Sequence, residues 1–554
     1  MNKDGYIKNN TKIPGLVDIN ISLNEPTEYK VRYGYEKYTY DFDSKTYSIK
    51  DKKYDFNMDH PNYFSLSFLE DASIKSITIS FINVELPNPF VKVPNLPDVT
   101  PTEHTYNVKE TVSFPSFNVT DGLSYHLSDD GTYYIVDNYN DTMVLENNVN
   151  RIVFPKEYNG LPVREIGNKG FLERWWIFEI FIPETIEKIA LECFSMCGLT
   201  KIYWDAISCN DFPARNAIFN PGDSHDHQNI DLIFGPHVKR VPARMMLPSM
   251  MTPNVHPKVN SISFASGCQI EEIGDYAFYG LSNLNRIDLP ESVKSIGEYA
   301  FYGWDLEEFS LDNVISISNS AFRFNKNLKH VHLPSSLSYL GEQVFEGCDL
   351  IEEIDLSNTS IELIKFSTFK NCLSLKHILF PNNLLTIEES AFEGCSALTE
   401  FYAPSALLSI GNKSFYHCES LICIKLNESL KDIGDEAFRY VTSVSTLIID
   451  CNHLNDLDLN NKAFVNFGVK ELKVYITENV EYIPSNTFYG SSFIDYLPTI
   501  SALYIYSNLE GVGDNAFFGQ TSTHIEYYGG YKDDIASWNI GINNDVFSDI
   551  KGRE

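Results

Sequence analysis

The octapeptide IGDYAFYG at residues 273–280 returns almost unchanged as IGEYAFYG at residues 296–303, which is 23 residues later. Its phenylalanine belongs to a series with steps of 23, 21, 23, 24, 23, 23, 23, 26 and 24 residues: Phe278, Phe301, Phe322, Phe345, Phe369, Phe392, Phe415, Phe438, Phe464 and Phe488. Phe171 and Phe194 form an earlier pair at this spacing, and Phe517 follows after a longer step. Such a fixed period is typical of a solenoid, in which stacked repeats bury each other's apolar faces.

Each repeat also carries the pattern L-x-x-I/V-x-L, as in LNRIDLP (284–290), LKHVHLP (328–334), LKHILFP (375–381) and LICIKLN (421–427). Its last three positions alternate, which predicts one short strand per repeat with the apolar pair pointing inward. The proline after it helps to end the strand. The segment S-V/L-x-x-I-G that follows predicts a second apolar pair and a tight turn at the glycine.

Half of the ten cysteines follow the same period. Five lie three residues after a repeat phenylalanine: Cys197, Cys348, Cys372, Cys395 and Cys418. They therefore occupy one column of the stack, which predicts small buried thiols and not a disulfide framework. The pairs at 193–197 and 418–423 lack a second pair at zinc-finger spacing, so a zinc knuckle is not expected.

The repeat resembles the BspA-like, or Treponema-type, leucine-rich repeat family, whose phrase is roughly L-x-x-I-x-L-P-x-S-V-x-x-I-G-x-x-A-F-x-x-C. LNRIDLPESVKSIGEYAFYG (284–303) and LKHILFPNNLLTIEESAFEGC (375–395) follow it closely, and RIVFPKEYNGLPVREIGNKGF (151–171) is similar to the family's first repeat. The resemblance covers about residues 122–530. It implies a leucine-rich repeat solenoid of parallel strands, non-catalytic work in adhesion or recognition, and no catalytic residues or cofactor.

The sequence departs from that family at three points. The period breaks between Phe194 and Phe278, where RVPARMM (240–246) indicates a degenerate repeat inside an irregular insertion at about 205–265. The N-terminus, MNKDGYIKNN, has no apolar segment of a secretory signal, whereas most members are exported. Residues 1–120 lie outside the repeat.

The front of the chain predicts a separate module. Period-two alternation in EYKVRYGYEKYTYDF (28–42) and SIKSITISFINVEL (73–86) predicts strands of a small β-rich domain over 1–85. Five prolines between 87 and 101 indicate a stiff spacer over 86–120. We expect an N-terminal cap with the first repeat over 121–170, repeats over 171–530 and a C-terminal cap over 531–554. The front domain is interpreted as an anchor or docking module, or simply as an extra domain with a linker.

The outward strand positions supply the candidate binding residues. They are Arg286, Asp288, Glu308, His330, His332, Glu353, Asp355, His377, Glu400 and Tyr402. Alternating imidazoles and carboxylates favour cross-strand charge pairing. Alternatively, His330, Glu353 and His377 hold a divalent metal or form a pH-sensitive patch. SHDH (224–227) is a second, weaker metal candidate in a loop.

Charge and motifs limit the function. The formal net charge is −32, from 43 Lys+Arg and 75 Asp+Glu, which disfavours nucleic acid and anionic membranes as partners. The sequence has no G-x-S-x-G, H-E-x-x-H or phosphate-binding glycine loop, and no pair of carboxylates stands out, so an enzyme is not expected.

Two functions therefore remain open. One is adhesion to a host-cell surface, protein or glycan through the solenoid. The other is a structural, decoration or fibre component of a phage or virus particle, docked through the N-terminal domain. The missing signal favours the particle component or a merger of the two roles, and the family resemblance favours adhesion. The expected location is extracellular, as part of a virus particle or on a cell surface, and otherwise the cytoplasm. No membrane insertion is expected.

Overall fold

The structure is a computed structural model. It describes side chains over 112–139, 150–167, 170–213, 218–219, 229–247, 257–452, 454, 463–464, 466–468, 471–488, 500–507, 509–517 and 524–525, and the backbone of the strands outside these ranges. The chain forms two compact units, Met1–His104 and Thr105–Glu554. In the described parts of both units the regular structure is strand, without helix.

The described backbone of the first unit contains seven strands, and they cover parts of both segments in which alternation predicts strands. Their order is β1-β6-β3-β4 in one sheet and β5-β2-β7 in another, and every pairing is antiparallel. The strands are β1 (Tyr6–Lys8), β2 (Leu16–Leu23), β3 (Glu28–Gly34), β4 (Asp43–Ser48), β5 (Asp51–Asp55), β6 (Tyr63–Phe68) and β7 (Ile74–Phe81).

The second unit opens with a small cap sheet of order β11-β12-β9-β8, in which β14 also pairs with β12. Its hairpin of β8 and β9 is antiparallel, whereas β12 pairs with β9 and β14 in parallel. These pairs have the same parallel strand orientation as the pairs of the following repeats. The strands are β8 (Leu123–Leu127), β9 (Tyr134–Tyr139), β11 (Glu157–Tyr158), β12 (Leu161–Ile166) and β14 (Lys188–Ile189).

A first ladder of parallel strands, contributed by the L-x-x-I-x-L segments, runs through the repeats. Its strands form four hydrogen-bonded sheets, and the buried inward side chains of the described residues belong to one hydrophobic core. Its strands are β10 (Arg151–Val153), β13 (Glu179–Ile182), β15 (Lys201–Trp204), β16 (Ile230–Phe234), β18 (Val259–Phe264), β21 (Glu308–Ser310), β23 (His330–His332), β25 (Glu353–Asp355), β27 (His377–Leu379), β29 (Glu400–Tyr402), β31 (Cys423–Leu426), β33 (Thr446–Ile449), β34 (Leu472–Ile476), β36 (Ile500–Ile505), β38 (His524–Tyr531) and β39 (Ile550–Arg553).

A second ladder of two-residue strands is formed by the apolar pair before the repeat glycine. All of its pairings are parallel. The strands are β17 (Arg240–Val241), β19 (Glu272–Ile273), β20 (Ser295–Ile296), β22 (Ser316–Ile317), β24 (Tyr339–Leu340), β26 (Leu363–Ile364), β28 (Thr386–Ile387), β30 (Ser409–Ile410), β32 (Asp432–Ile433), β35 (Tyr482–Ile483) and β37 (Gly511–Val512).

Neighbouring repeats approach each other closely at the repeat glycine, although Ser318 and Glu388 hold the same position in two other repeats and make the equivalent backbone bond. Gly297 donates its N–H to the carbonyl of Ile273 at 2.8 Å, and Gly434 makes the equivalent bond to Ile410 at 2.7 Å. A Cβ at Gly297 would lie 2.6 Å from the backbone nitrogen of Asp275, which no ordinary contact permits. The left-handed residues of the turn flank the phenylalanine instead, as at Tyr299 (φ 54°) and Gly303 (φ 68°) around Phe301.

The phenylalanines form the predicted column. Phe322, Phe345, Phe369 and Phe392 are fully buried, and successive rings stack with centroids 5.3–5.7 Å apart and planes within 11°. Stacked rings of this kind add to the hydrophobic stabilisation of burial itself. The phenylalanine column is therefore the continuous core that joins one repeat to the next.

The predicted cysteine column is also present, and no cysteine among the ten, all of which lie in described residues, forms a disulfide. Each column thiol donates to the carbonyl of the preceding repeat's phenylalanine, as Cys372 does to Phe345 at 3.2 Å. Burial raises the pKa of the Cys395 thiol to about 12, so it stays protonated and can donate. In two repeats Trp304 and Asn325 donate from this position instead, whereas the apolar Leu281 and Val441 occupy it in two others.

The stretch between Phe194 and Phe278 contains two repeats where the sequence indicated one. Phe219 stacks on Phe194 at 6.0 Å with planes 3° apart, so it is the next member of the column. Met246 then takes the phenylalanine position, because its N–H donates to Ala277 just as Phe278 donates to Ala300. The steps from Phe194 through these two residues to Phe278 are 25, 27 and 32 residues, and β15, β16 and β18 stay in one parallel sheet.

One predicted strand is wrong. The described backbone of LNRIDLP (284–290) is not a strand, although the equivalent segments at 328–334, 375–381 and 421–427 each contain one. The backbone there bonds to the next repeat through the N–H of Glu307 and the carbonyl of Asn285, at 3.2 Å. Arg286 and Asp288, whose side chains should face neighbouring strands, pair with each other at 3.1 Å.

Candidate functional site: the outward strand face

The candidate binding residues of five consecutive strands lie side by side. We call the outward side chains of β21, β23, β25, β27 and β29 the open face. One row of the open face is Glu308, His330, Glu353, His377 and Glu400, and the second is Ser310, His332, Asp355, Leu379 and Tyr402. Of the five inward residues between these rows, Phe309, Ile354 and Phe401 are at most 2% exposed, and Val331 and Ile378 are partly buried against the core. The strand alternation read from the sequence therefore assigns the two sides correctly.

The first row alternates imidazole and carboxylate. In the parallel register Glu308 lies opposite His330, and Glu353 lies opposite His377. His377 Nδ1 also lies 3.7 Å from Glu400 Oε1 on the next strand. This arrangement matches the cross-strand charge pairing that the sequence favours, because each carboxylate has an imidazole beside it. A metal bound by His330, Glu353 and His377 stays a prediction.

The C-terminal end of the open face is more enclosed. The hydroxyl of Tyr402 donates to Glu400 Oε2 at 3.2 Å. Burial raises the pKa of Tyr402 far above its ordinary value, and the nearby Cys423 and Glu400 raise it further. The phenol is therefore a neutral donor, held in place beside the carboxylate row.

Only the second-row positions are apolar in the first repeats, because the first-row positions there hold the charged residues Arg151, Glu179, Lys201 and Asp231. We call Val153, Phe181, Tyr203 and Ile233, which lie on β10, β13, β15 and β16, the covered face. They hold the positions that Ser310, His332, Asp355 and Leu379 hold in the second row of the open face. Tyr203 is only 8% exposed, although its side chain points away from the core.

A segment of the chain itself lies on the covered face; we call residues 112–120 the strap. Phe114 packs against Phe181 and Tyr203 with ring centroids 5.4 and 6.0 Å away, and Phe117 packs against the same two rings at 6.0 and 5.3 Å. The guanidinium of Arg151 lies 4.0 Å over the ring of Phe117. This contact occurs where the sequence predicts the last part of a spacer.

Backbone hydrogen bonds fix the strap at both ends. Thr120 donates its N–H to the carbonyl of Val153 at 3.1 Å and accepts from the Val153 N–H through Oγ1 at 2.8 Å. At the other end Val112 forms a parallel bridge with Ala265. The strap therefore crosses the first ladder from β10 to the end of β18.

Another group of polar side chains, which the sequence patterns did not indicate, lies at the edge of this sheet. Glu184, Asp205 and His237 place potential metal-ligand atoms within 4.8 Å of one another, and no other such group of His, Cys, Asp and Glu occurs among the described residues. Each of the three follows a strand of the first ladder, which is the signal that could have revealed them. SHDH (224–227) lies outside the described residues.

The comparisons with known proteins match the repeat. The family model for the BspA-type leucine-rich repeat region matches in six copies, over residues 142–216, 255–367 and 362–495, which together exceed half of the chain. No curated protein matches the chain. Within the described residues no helix has the length and apolar character needed to cross a bilayer.

Solved structures of bacterial leucine-rich repeat proteins are also similar. A leucine-rich repeat protein from Bacteroides ovatus is 20% identical over 79% of this chain and 100% of its own, with a TM-score of 0.43. A leucine-rich cell surface protein from Faecalibacterium prausnitzii is 19% identical over 57% and 95%, with a TM-score of 0.27. The pneumococcal vaccine antigen PcpA is 17% identical over 80% and 100%, with a TM-score of 0.30. All three TM-scores are below 0.5.

Proposed function

The chain belongs to the BspA-type leucine-rich repeat family, and on that premise we propose that it is a non-enzymatic adhesion protein. It binds a protein or glycan of a host-cell surface through the open face. The observation that carries this proposal is the contrast between the outward positions of the repeats. Phe181 and Tyr203 pack against the strap, whereas His332 and Asp355 at the same repeat position are exposed to solvent.

The chemistry of the open face suits recognition of a polar partner. His330, His332, Glu353 and Asp355 are exposed on neighbouring strands, so donors and acceptors of both charge types lie within one surface. Rigid strands hold these groups at fixed spacing, which lowers the entropic cost of binding. A flat surface of this kind can contact a partner across several repeats, as concave solenoid faces do.

The test is binding of the fluorescently labelled whole chain to a glycan array and to immobilised extracellular matrix proteins. We expect saturable binding to a subset of these probes. The triple variant His330→Ala, Glu353→Ala, Asp355→Ala should weaken that binding at least tenfold, because it removes charged groups from the centre of the surface.

A matched control removes three exposed charges elsewhere in the repeats. Each of the three residues is exposed and immediately precedes a strand of the second ladder; they are Lys294, Glu362 and Lys431. The triple alanine variant at these positions should bind as the unchanged chain does. Equal loss in both variants, or no loss in the first, would contradict the proposal.

The alternative role in a phage or virus particle makes a different prediction about location. A particle component docked through residues 1–120 should be enriched in purified particles, whereas a surface adhesin should be enriched in the cell envelope. Mass spectrometry of fractionated source material decides between these two locations. Recovery from the cytosol alone would contradict both of them.

A further inference from the structure

The ends of three neighbouring parallel strands bring together residues of metal-binding type. Glu184 follows β13 by two residues, Asp205 follows β15 directly, and His237 follows β16 by three. Because β13, β15 and β16 are parallel and adjacent, their C-terminal ends meet at one edge of the sheet. The three side chains belong to three different repeats, so the repeat fold itself assembles them.

Asp205 is the buried centre of this group. Its side chain is 5% exposed, and Oδ1 accepts the backbone N–H of His237 at 3.0 Å. Oδ2 lies 2.8 Å from His237 Nδ1. Two ligands of one Zn²⁺ ion, each about 2.1 Å from the metal, are separated by roughly 3–3.5 Å in tetrahedral geometry. The aspartate and the imidazole are therefore placed close to the separation that a shared ion requires.

The ion pair of Glu184 satisfies only one of its two carboxylate oxygens among the described residues. Its Oε1 lies 2.6 Å from the ammonium of Lys156. Its Oε2 is buried and has no hydrogen-bond partner among the described residues. A buried carboxylate oxygen without a partner is costly, because it has lost its water and gained nothing in return. A cation between Glu184 and Asp205 would satisfy that oxygen.

The surroundings hold the aspartate in place. A Cβ built on Gly235 would lie 2.2 Å from Asp205 Oδ1 and 2.8 Å from the ring of Phe114 in the strap. Only glycine at this position leaves room for both groups. The carboxylate therefore sits beside the strap, in a pocket from which larger side chains are excluded.

We propose that Glu184, Asp205 and His237 bind a divalent transition-metal ion, with Zn²⁺ as the fitting probe. Two carboxylates and one imidazole are ligands that Zn²⁺ accepts, and three protein ligands leave a fourth position for water. His237 coordinates as the neutral imidazole, and the ion replaces the hydrogen bond between Nδ1 and Asp205. The bound ion crosslinks the C-terminal ends of β13, β15 and β16 next to the strap. This site is independent of the adhesion function proposed above.

The test is isothermal titration of the EDTA-treated whole chain with ZnCl₂ near neutral pH. We expect one equivalent of Zn²⁺ to bind. His237→Ala and Asp205→Asn should each lower the affinity at least tenfold. His237 is half-exposed, so its variant should fold even if the aspartate variant does not. Lys156→Met should raise the affinity several-fold, because it removes the ammonium that competes for Glu184.

Two controls locate the ion. The double variant His330→Ala, His377→Ala alters the open face and should leave the titration unchanged. Bound Co²⁺ should show visible d–d bands without the charge-transfer band that a cysteine ligand gives. The proposal is overturned by the absence of saturable heat, by binding that survives both His237→Ala and Asp205→Asn, by loss of binding in the open-face variant, or by a thiolate band.

Discussion

The covered face and the open face occupy equivalent positions of the same repeat, yet one is apolar and the other polar. Phe181 and Tyr203 point outward from β13 and β15, where they meet the strap. Two equivalent positions further along the ladder hold His332 and Asp355, which are exposed. The repeat determines where an outward side chain lies, but the identity of that side chain decides whether the chain covers it or leaves it available.

The largest effect should come from the core that both regions share. Phe369→Ala removes a fully buried ring between Phe345 and Phe392, and we expect a loss of about 3–5 kcal/mol in local stability. Phe194→Ala, in the covered region, should cost a similar amount because its ring is 1% exposed and stacks on Phe171 and Phe219. Hydrogen exchange is the suitable measurement, because long repeat arrays do not unfold in two states.

If the losses of local stability in the two phenylalanine variants differ by several kcal/mol, the two regions do not share one core. The covered and open regions would then differ in their interior as well as on their outward face. A uniform loss would confine the difference to the outward positions.

An intermediate effect should follow from removing the strap contacts. Phe114→Ser combined with Phe117→Ser exposes Phe181 and Tyr203, and we expect a cost of about 1–3 kcal/mol from the lost aromatic packing. Hydrogen exchange should quicken in β10, β13 and β15 and stay unchanged in β25 and β27. Val119→Ser is the matched control, because Val119 lies in the strap but is 49% exposed. Unchanged exchange in the double variant would mean that the strap does not protect these strands.

The smallest effect should come from the surface ion pairs near the open face. The ammonium of Lys376 lies 2.7 Å from Glu352 and lowers the pKa of that carboxyl below its ordinary value of 4.5. A lowered folded-state pKa stabilises the fold above the unfolded value, and this contribution disappears as the pH falls through the folded value. Both side chains are half-exposed, so Glu352→Gln should cost less than about 1 kcal/mol at pH 7.

Hydrogen exchange in β25 and β27 of the Glu352→Gln variant, measured at pH 7 and at pH 3, checks this. The difference from the unchanged chain should shrink at the lower pH. A cost of several kcal/mol at pH 7 would show that the charges near the open face also hold the fold together.

The sequence predicts the parts of the fold that repeat with constant spacing. The columns of Phe369 and Cys372 recur every 23 or so residues, so the spacing alone is enough to place both. Phe219 and Met246 could not be placed in this way, because their steps are longer and one of them is not phenylalanine. The strand alternation likewise predicts which side chains of the open face point outward.

The strap and the Glu184 group were not predictable from a repeat pattern. The strap uses outward positions, so its contacts join Phe117 to residues such as Tyr203 that are far away in the sequence. Glu184, Asp205 and His237 lie 21 and 32 residues apart and follow their strands by different distances. Aligning the repeats on their strands, with Phe219 and Met246 included, would have brought all three to one edge.

The backbone bond from each repeat glycine to the apolar residue one repeat earlier has an evolutionary consequence. Gly297 bonds to Ile273, and Gly434 makes the same bond to Ile410. Because donors and acceptors recur in one order, a whole repeat can be duplicated or deleted without leaving unmatched backbone groups at the join. Recombination within the gene could therefore lengthen or shorten the open face by one strand at a time, while the repeats on either side of the change remain intact.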